Sequence, residues 1–459
     1  MVYQINKVLN HFVGRPEKLF KEIVDRRVAG CCTYSLPNLL MQAVYLFLVQ
    51  GQSRNKMNGF AKNFKSFKKN FELQFPGMKL AHFDTVNNVI RSIKVEELLG
   101  VLKRLIYSLI RGKVIKPIDG YYHILIDATG ICSYKNAPVD NACHQTSKNG
   151  VTTYSAKVLE AKILTKDHMV LSLVSELISN EGKSEFDKQD CELMAFKRLA
   201  EQLHEYFPRL PICIHLDGLY ANGPVMEICE RFGWKYIITR KDGNLKDIDQ
   251  QIIDKRIIEK KKFSYPVVLN PKCKKAVFGD ANYHWVEDLT HQDYQFNYME
   301  GIIPIYKPKT GSTEATKFAF ITNLGIDEAK AIVADKKNGL DDDKIESAIM
   351  KLIECGRLRW KIENEGFNIQ KNNGFNMEHK FVRNSITNLH KYYLLLQIAH
   401  IITQLTLKSK VVAAYLAKDA TTTIQSLWEG LRSSILGEHL LNAERLVKNR
   451  NTKCQIRLE

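Results

Sequence analysis

Three observations predict an α/β fold, a mixed sheet with helices on its faces. Short apolar, β-branched runs recur between residues 123 and 239; helical stretches separate the last three of them; and long helical segments stand on either side. The order strand, strand, strand, helix, strand, helix, strand is that of a sheet with helices packed against it.

Residues 1–115 read as helical and basic. Within SRNKMNGFAKNFKSFKKNFELQF, Phe60, Phe64, Phe67 and Phe71 recur at helical spacing as a core stripe, while Lys62, Lys65, Lys68 and Lys69 take the other faces. That lysine face is either solvated or laid on phosphate. Asp84 or Thr85 caps a helix, and another starts near Val95 with Leu98, Leu99, Leu102, Leu105 and Ile106 on its apolar side. The strands follow. His123–Asp127 (HILID) is an apolar run ending in an acid, Tyr154–Ile163 is the second strand and Met169–Leu177 the third. A helix over Gln189–Tyr206 leads to ICIHLD, a fourth strand ending on Asp217; a helix over Asn222–Phe232 leads to the fifth, Lys235–Thr239. From Arg240 to Leu324 the helical signal fades into strand-like pieces at Pro266–Leu269, His284–Val286 and Phe318–Thr322, with basic turns around Lys307, Lys309 and a Gly-Ser-Thr turn. A helix over Asp341–Glu354 runs into Arg359–Lys371. The tail after Gly374 is helical, most apolar over Ile386–Leu407, and ends in the basic RLVKNRNTKCQIRLE. No internal repeat is evident. The expected divisions are 1–115 helical and basic, 116–240 the first part of the α/β core, 241–324 a β-rich insertion, 325–400 the rest of the core, and 401–459 a helical C-terminal region.

At 459 residues the chain holds two to four domains. Its 67 Lys and Arg against 50 Asp and Glu give a formal charge of +17, which favours a polyanionic partner through counterion release. Nucleic acid is the first candidate. Leu39–Val49 and Tyr392–Leu407 are too short or too interrupted by Gln397, His400 and Gln404 to span a bilayer, and no signal peptide precedes them. The ten cysteines form no CxxC pair, which excludes a zinc ribbon or a dithiol redox motif and fits a reducing, cytoplasmic setting. No GxxxxGK[ST] loop is present, so ATP-driven chemistry is not expected.

The stretch richest in chemistry is RWKIENEGFNIQK, residues 359–371. On a helix at about 100° per residue, Arg359, Glu363, Gly366 and Gln370 share one stripe, with Trp360 and Phe367 on one flank and Ile362 and Ile369 on the other. A guanidinium and a carboxylate thus share a walled face, and Gly366 leaves room for a partner to come close. Trp360 is either part of the apolar wall or a stacking platform for an unpaired base. Far upstream, Asp127 and Asp217 each end an apolar strand, where an open sheet places its ligands and where a carboxylate needs a cation or a donor. Two such aspartates and a helical glutamate are what a two-metal phosphoryl-transfer site requires, and all-oxygen ligands suit Mg²⁺, with Mn²⁺ able to substitute. His123, Cys143, His144, Glu176, Asp140 and Asp242 carry less, as core, loop or surface groups.

These motifs resemble the insertion-sequence transposases that carry an Asp-Asp-Glu triad on an RNase-H-like fold, and among them the insertion-sequence-four family with its Tyr-Arg-Glu-Lys signature. The matching residues are IDATG at 126–130, HLDGLYAN at 215–222 and RWKIE at 359–363, and the likeness extends over roughly 120–400, with a weaker echo in DTVNNVI at 84–90. Two positions depart from the signature. Gly356 stands where the family has Tyr, and the Lys expected seven residues after the Glu is Gln370, with Lys371 one further on. Lys371 lies about 80° around an ideal helix from Glu363, within reach of its long stem or of a helix distorted near Gly366. Glu365 is the rival third acid, but the Arg359 spacing favours Glu363. The resemblance implies Asp127, Asp217 and Glu363 as catalytic metal ligands. It implies Arg359, Trp360 and Lys371 as DNA contacts, and the net charge makes Lys65, Lys68 and Lys69 of the N-terminal region further candidates. It also implies metal-dependent cut-and-paste excision and strand transfer, often through a hairpin. The partners would be double-stranded DNA at terminal inverted repeats and in the target, bound by a homodimer in the synapsed state of a prokaryotic, nucleoid-associated protein that uses no membrane. An inactive or domesticated DNA-binding protein of the same fold is the alternative, and a structure-specific nuclease a third reading.

Overall fold

The computed structural model describes residues 1–137, 142–179, 188–241, 243, 245–259, 262–269, 278–307, 310–325, 345–418 and 423–437. The expectations for Asp140, Asp242, Lys309, the start of the helix at Asp341 and the basic C-terminal end fall outside these residues. The described strands are β1 (Tyr122–Tyr134), β2 (Cys143–Thr146), β3 (Thr152–Leu164), β4 (Val170–Ile178), β5 (Ile212–Leu216), β6 (Lys235–Thr239), β7 (Lys262–Val268), β8 (Phe278–His291), β9 (Tyr294–Lys307) and β10 (Ser312–Thr322). The fold is mixed α/β. It divides into two compact units, one of residues 1–116, 128–206 and 364–459, the other of 117–127 and 207–363.

In the first unit β3 pairs antiparallel with β2 and with β4, with a register shift between Ala161 and Lys162. Helices Val95–Arg111 and Lys188–Tyr206 pack on β4, and helix Ile386–Lys408 packs along helix Leu36–Leu48. The polar interruptions of Ile386–Lys408 are all buried. Gln404 shows why this is tolerated: its side chain accepts from the Val170 amide at 2.8 Å and donates to the Val170 carbonyl at 3.0 Å, as a neighbouring strand would. No helix among the described residues is long and apolar enough to cross a membrane. Two expectations change here. The phenylalanine stripe is not one helix but two, Arg54–Asn63 and Lys65–Gln74, broken at an extended Phe64. Phe67 and Phe71 are therefore buried against Tyr45 while Phe64 is exposed. The helix around 84 begins at Phe83 with His82 as its cap, its Nδ1 accepting from the Asp84 amide, so Asp84 lies in the first turn, where its charge suits the helix dipole.

In the second unit the strand order is β1, β5, β6, β10, β9, β8, β7, parallel across β1, β5 and β6 and antiparallel beyond. Helix Ile345–Arg357 lies on this sheet and closes a core in which Ala348, Leu352 and Ile353 meet Trp285, Met299 and Phe320. The β-rich reading of 241–324 needs one correction, the helix Asp247–Glu259. Its isoleucines read as a β-branched run, but Asp247 and Asp249 occupy its first turn, and Ile248 and Ile252, four apart, are buried. The strand-like fragments after it belong to much longer strands, because residues of middling apolarity in β8, β9 and β10 are held by ladders on both sides.

Candidate active site

Asp127, Asp217, Arg359, Trp360 and Glu363 all belong to the second unit. Strands β1 and β5 run parallel with His123 opposite Cys213 and Leu125 opposite His215. Two residues further along each strand stand Asp127 and Asp217. Side chains two apart share a face, so His123, Leu125 and Asp127 point to the same side as Cys213, His215 and Asp217. The two aspartates are thus level on neighbouring strands, which lie about 4.8 Å apart. The expectation that each ends its strand holds for Asp217, just beyond β5. It does not hold for Asp127, because β1 continues to Tyr134.

The third acid arrives from the helix on that face. Gly356 lets helix Ile345–Arg357 lie directly on the ring of Phe320 in β10, since a Cβ there would stand 2.7 Å from the ring. A side chain larger than hydrogen at 356 would therefore press on that ring. The helix then tightens into a 3₁₀ turn over Leu358–Trp360. There Arg359, only 9% exposed, sets Nη1 at 3.1 Å from Asp127 Oδ2 and at 3.1 Å from Glu363 Oε1. The two carboxylates therefore lie within twice that distance of each other, with one buried guanidinium between two half-buried acids offsetting their mutual repulsion. Asp217 is held by other means. Its Oδ1 accepts from the Leu219 amide at 2.8 Å, capping the turn that follows β5, and its Oδ2 receives Lys241 Nζ at 3.2 Å.

Beneath the acids lies a pair of imidazoles that sequence reasoning left as core or passed over. His123 Nε2 is 3.1 Å from the Ile118 carbonyl, which can only accept, so that nitrogen carries the hydrogen. His123 Nδ1 is then an acceptor for His215 Nε2 at 2.8 Å. Burial holds both imidazoles below their usual range, and for His215 the neighbouring His123 and Arg359 add to the effect. The pair is neutral and its tautomers are fixed by one backbone carbonyl. Cys213 brings a thiol within 4.8 Å of both rings. The histidine contact is itself a hydrogen bond and occupies His123 Nδ1 and His215 Nε2. The signal available in the sequence was spacing: HILID and HLD place His four and two residues before Asp, even offsets that put each pair on one strand face.

The segment expected as one α-helix from Arg359 to Lys371 is instead a 3₁₀ turn, a π-helix over Ile362–Asn368 and a short α-helix over Ile369–Asn372. The wider i→i+5 turn begins beside Glu363 and includes Gly366, the poorest helix former in the stretch. Gln370 is consequently not on an open stripe but fully buried in the first unit, donating to Gln397 at 2.8 Å. Lys371, also in the first unit, is paired with Glu378 at 3.0 Å. Trp360 is not part of the apolar wall. It is 52% exposed, with the Arg359 guanidinium 5.4 Å from its ring. Lys62, Lys65, Lys68 and Lys69 are exposed on the first unit, and Glu176 there is paired with Arg198 at 2.8 Å. Cys143 and His144 form part of β2, with burial pushing the Cys143 thiol up to about 12.

No protein-family model matches the chain, and no curated protein does. Among solved structures, the cryo-EM structure of a piggyBac transposase synaptic complex with hairpin DNA is similar over 96% of this chain and 86% of that one, at 9% identity and a TM-score of 0.36. A superposition at that score does not establish a shared fold.

Proposed function

We propose that this chain is a DNA transposase with an RNase-H-like catalytic core, cutting and joining DNA strands with Mg²⁺ or Mn²⁺ held by Asp127, Asp217 and Glu363. The observation that carries the reading is the convergence of three carboxylates from separate parts of the sequence: two level on adjacent parallel strands, the third joined to Asp127 through Arg359. The donor set fits the ion, since all three ligands are oxygen, two are tied to one nitrogen and each acid already has a cation beside it. Bound there, Mg²⁺ would supply activation of the attacking oxygen and stabilisation of the leaving one. The chain's own part is positional. The sheet keeps Asp127 and Asp217 in register, and the turn at Leu358–Trp360 delivers Arg359 and Glu363 together. The exposed indole of Trp360, next to that arginine, offers a face on which an unpaired base at a hairpin end can stack. The exposed Lys65, Lys68 and Lys69, with the +17 charge, support DNA ends as the partner, and Lys371 serves the same backbone if it leaves Glu378.

The test is cleavage of a duplex built from the DNA on either side of the gene, compared with an unrelated duplex, with Mn²⁺ or Mg²⁺, by wild type and Glu363→Gln. Metal-dependent nicking lost in the variant supports the transposase. Tight binding without nicking in the wild type assigns an inactive DNA-binding protein instead, and nicking without preference for the ends assigns a nuclease. Replacing Lys65, Lys68 and Lys69 by Ala should lower the slope of log affinity against log salt by about 2–3. An unchanged slope returns those lysines to the solvated surface.

A further inference from the structure

Asp217 has two carboxylate oxygens, and both are engaged. Oδ1 caps the turn at Leu219, a bond within the chain that the strand end requires, so Oδ2 is the oxygen left to serve an ion. That oxygen is the one Lys241 holds at 3.2 Å. The contact is built into the backbone rather than being a chance meeting of side chains. β6 runs parallel to β5 with Leu216 opposite Ile238, so the chain leaves β6 beside Asp217 and Lys241 follows two residues after Thr239. Its stem lies against Gly218, where a Cβ would stand 2.9 Å from Lys241 Cγ and 3.1 Å from the Thr239 carbonyl. A glycine at 218 thus makes the groove in which the lysine stem rests. The Lys241 side chain as a whole remains 61% exposed.

From this geometry we infer that Lys241 is a positioning residue of the reaction site, a placeholder cation. It neutralises Asp217 before a divalent ion arrives, yields Oδ2 to the ion, and then pairs with a phosphate of the bound DNA strand beside the site. The inference rests on the proposed metal-binding role of Asp217. An ammonium on Oδ2 and an ion on Oδ2 exclude each other, so the two compete. The lysine so displaced is exposed and able to meet another anion, and a DNA strand bound at the site would supply backbone phosphates.

The experiment measures Mn²⁺ binding to the full chain without DNA, by the loss of the free-ion electron paramagnetic resonance signal, for wild type, Lys241→Met, Lys241→Arg, Asp217→Asn and Asp127→Asn. Lys241→Met should bind Mn²⁺ more tightly, on the order of fivefold for the loss of one partly exposed competing cation. Lys241→Arg should stay near wild type and the two Asn variants should bind more weakly. A gain in affinity is something that mere damage to the fold would not produce. Salt titration of DNA binding is the second arm. With Ca²⁺ present, Lys241→Met should show a slope smaller than wild type by about one; with EDTA, where the lysine stays on Asp217, the two slopes should match. Wild-type or weaker Mn²⁺ affinity in Lys241→Met, with the Asn variants impaired, overturns the placeholder role and leaves the metal site standing. Equal slopes in Ca²⁺ overturn the transfer to phosphate. Mn²⁺ affinity unchanged in Asp217→Asn and Asp127→Asn overturns the metal-site reading itself, and the role of Lys241 with it.

Discussion

Asp127→Asn and Asp217→Asn should each lower the rate of strand cleavage by about a thousandfold or more while leaving affinity for DNA ends within a few-fold of wild type. An amide keeps the size of the carboxylate and removes its charge, so the strands and their register survive. For Asp217→Asn the Leu219 cap survives as well, because an amide oxygen accepts as a carboxylate does. What is lost is the anionic ligand, and a deficit of about 4 kcal/mol in transition-state stabilisation corresponds to three powers of ten in rate. Arg359 makes the two variants unequal in a second measurement. In Asp127→Asn the guanidinium keeps Glu363 but loses one of its two anionic partners in a buried setting, so this variant should melt at a lower temperature than Asp217→Asn, whose lost partner, Lys241, is exposed. Single-turnover cleavage with saturating DNA separates chemistry from binding. Activity within tenfold of wild type in either variant would remove that aspartate from the catalytic set.

Much of this arrangement was legible because it rests on short-range pattern. β6 begins and ends where its apolar run does, and Asp217 follows β5 as the HLD tripeptide suggests. The Arg359–Glu363 pair forms as its i, i+4 spacing requires. The features that sequence did not disclose are those imposed by distant parts of the chain. Nothing local makes β1 run on past Asp127 or extends β8 and β9 into long strands; their partners do. The burial of Gln370, the exposed ring of Trp360 and the contact of Lys241 with Asp217 follow from where a π turn, a 3₁₀ turn and a strand end are placed by packing. The placing of Lys371 about 80° around from Glu363 rested on ideal helix geometry, and the π-helix removes that premise: across Ile362–Asn368 the angle between the two is not that of an α-helix.

Lys162→Ala should destabilise the first unit by about 3–5 kcal/mol, the usual cost of leaving one member of a buried charge pair behind. Lys162 and Glu160 are both fully buried on β3, their charged atoms 3.6 Å apart, and burial drives their protonation equilibria in opposite senses, the lysine down and the carboxyl up. Ser172 donates to Glu160, and Lys162 donates to Gln397 at 2.7 Å. Gln397 in turn accepts from Gln370 at 2.8 Å, and Gln370 meets His400 Nδ1 at 2.9 Å. Gln370 is therefore wired, through one glutamine, to a lysine supplied by a strand. Removing only Lys162 strands Glu160 without a cation and leaves Gln397 with Gln370 as its remaining donor. The melting transition of this unit should fall by about 10 °C. The double change Lys162→Met with Glu160→Leu removes both charges at similar volume and should recover most of that loss, because a hydrophobic replacement of a buried pair is commonly neutral or stabilising. A double variant no more stable than Lys162→Ala would mean that the network to Gln370, rather than the ion pair, carries the stability. A single variant that melts like wild type would show that the pair contributes nothing to it.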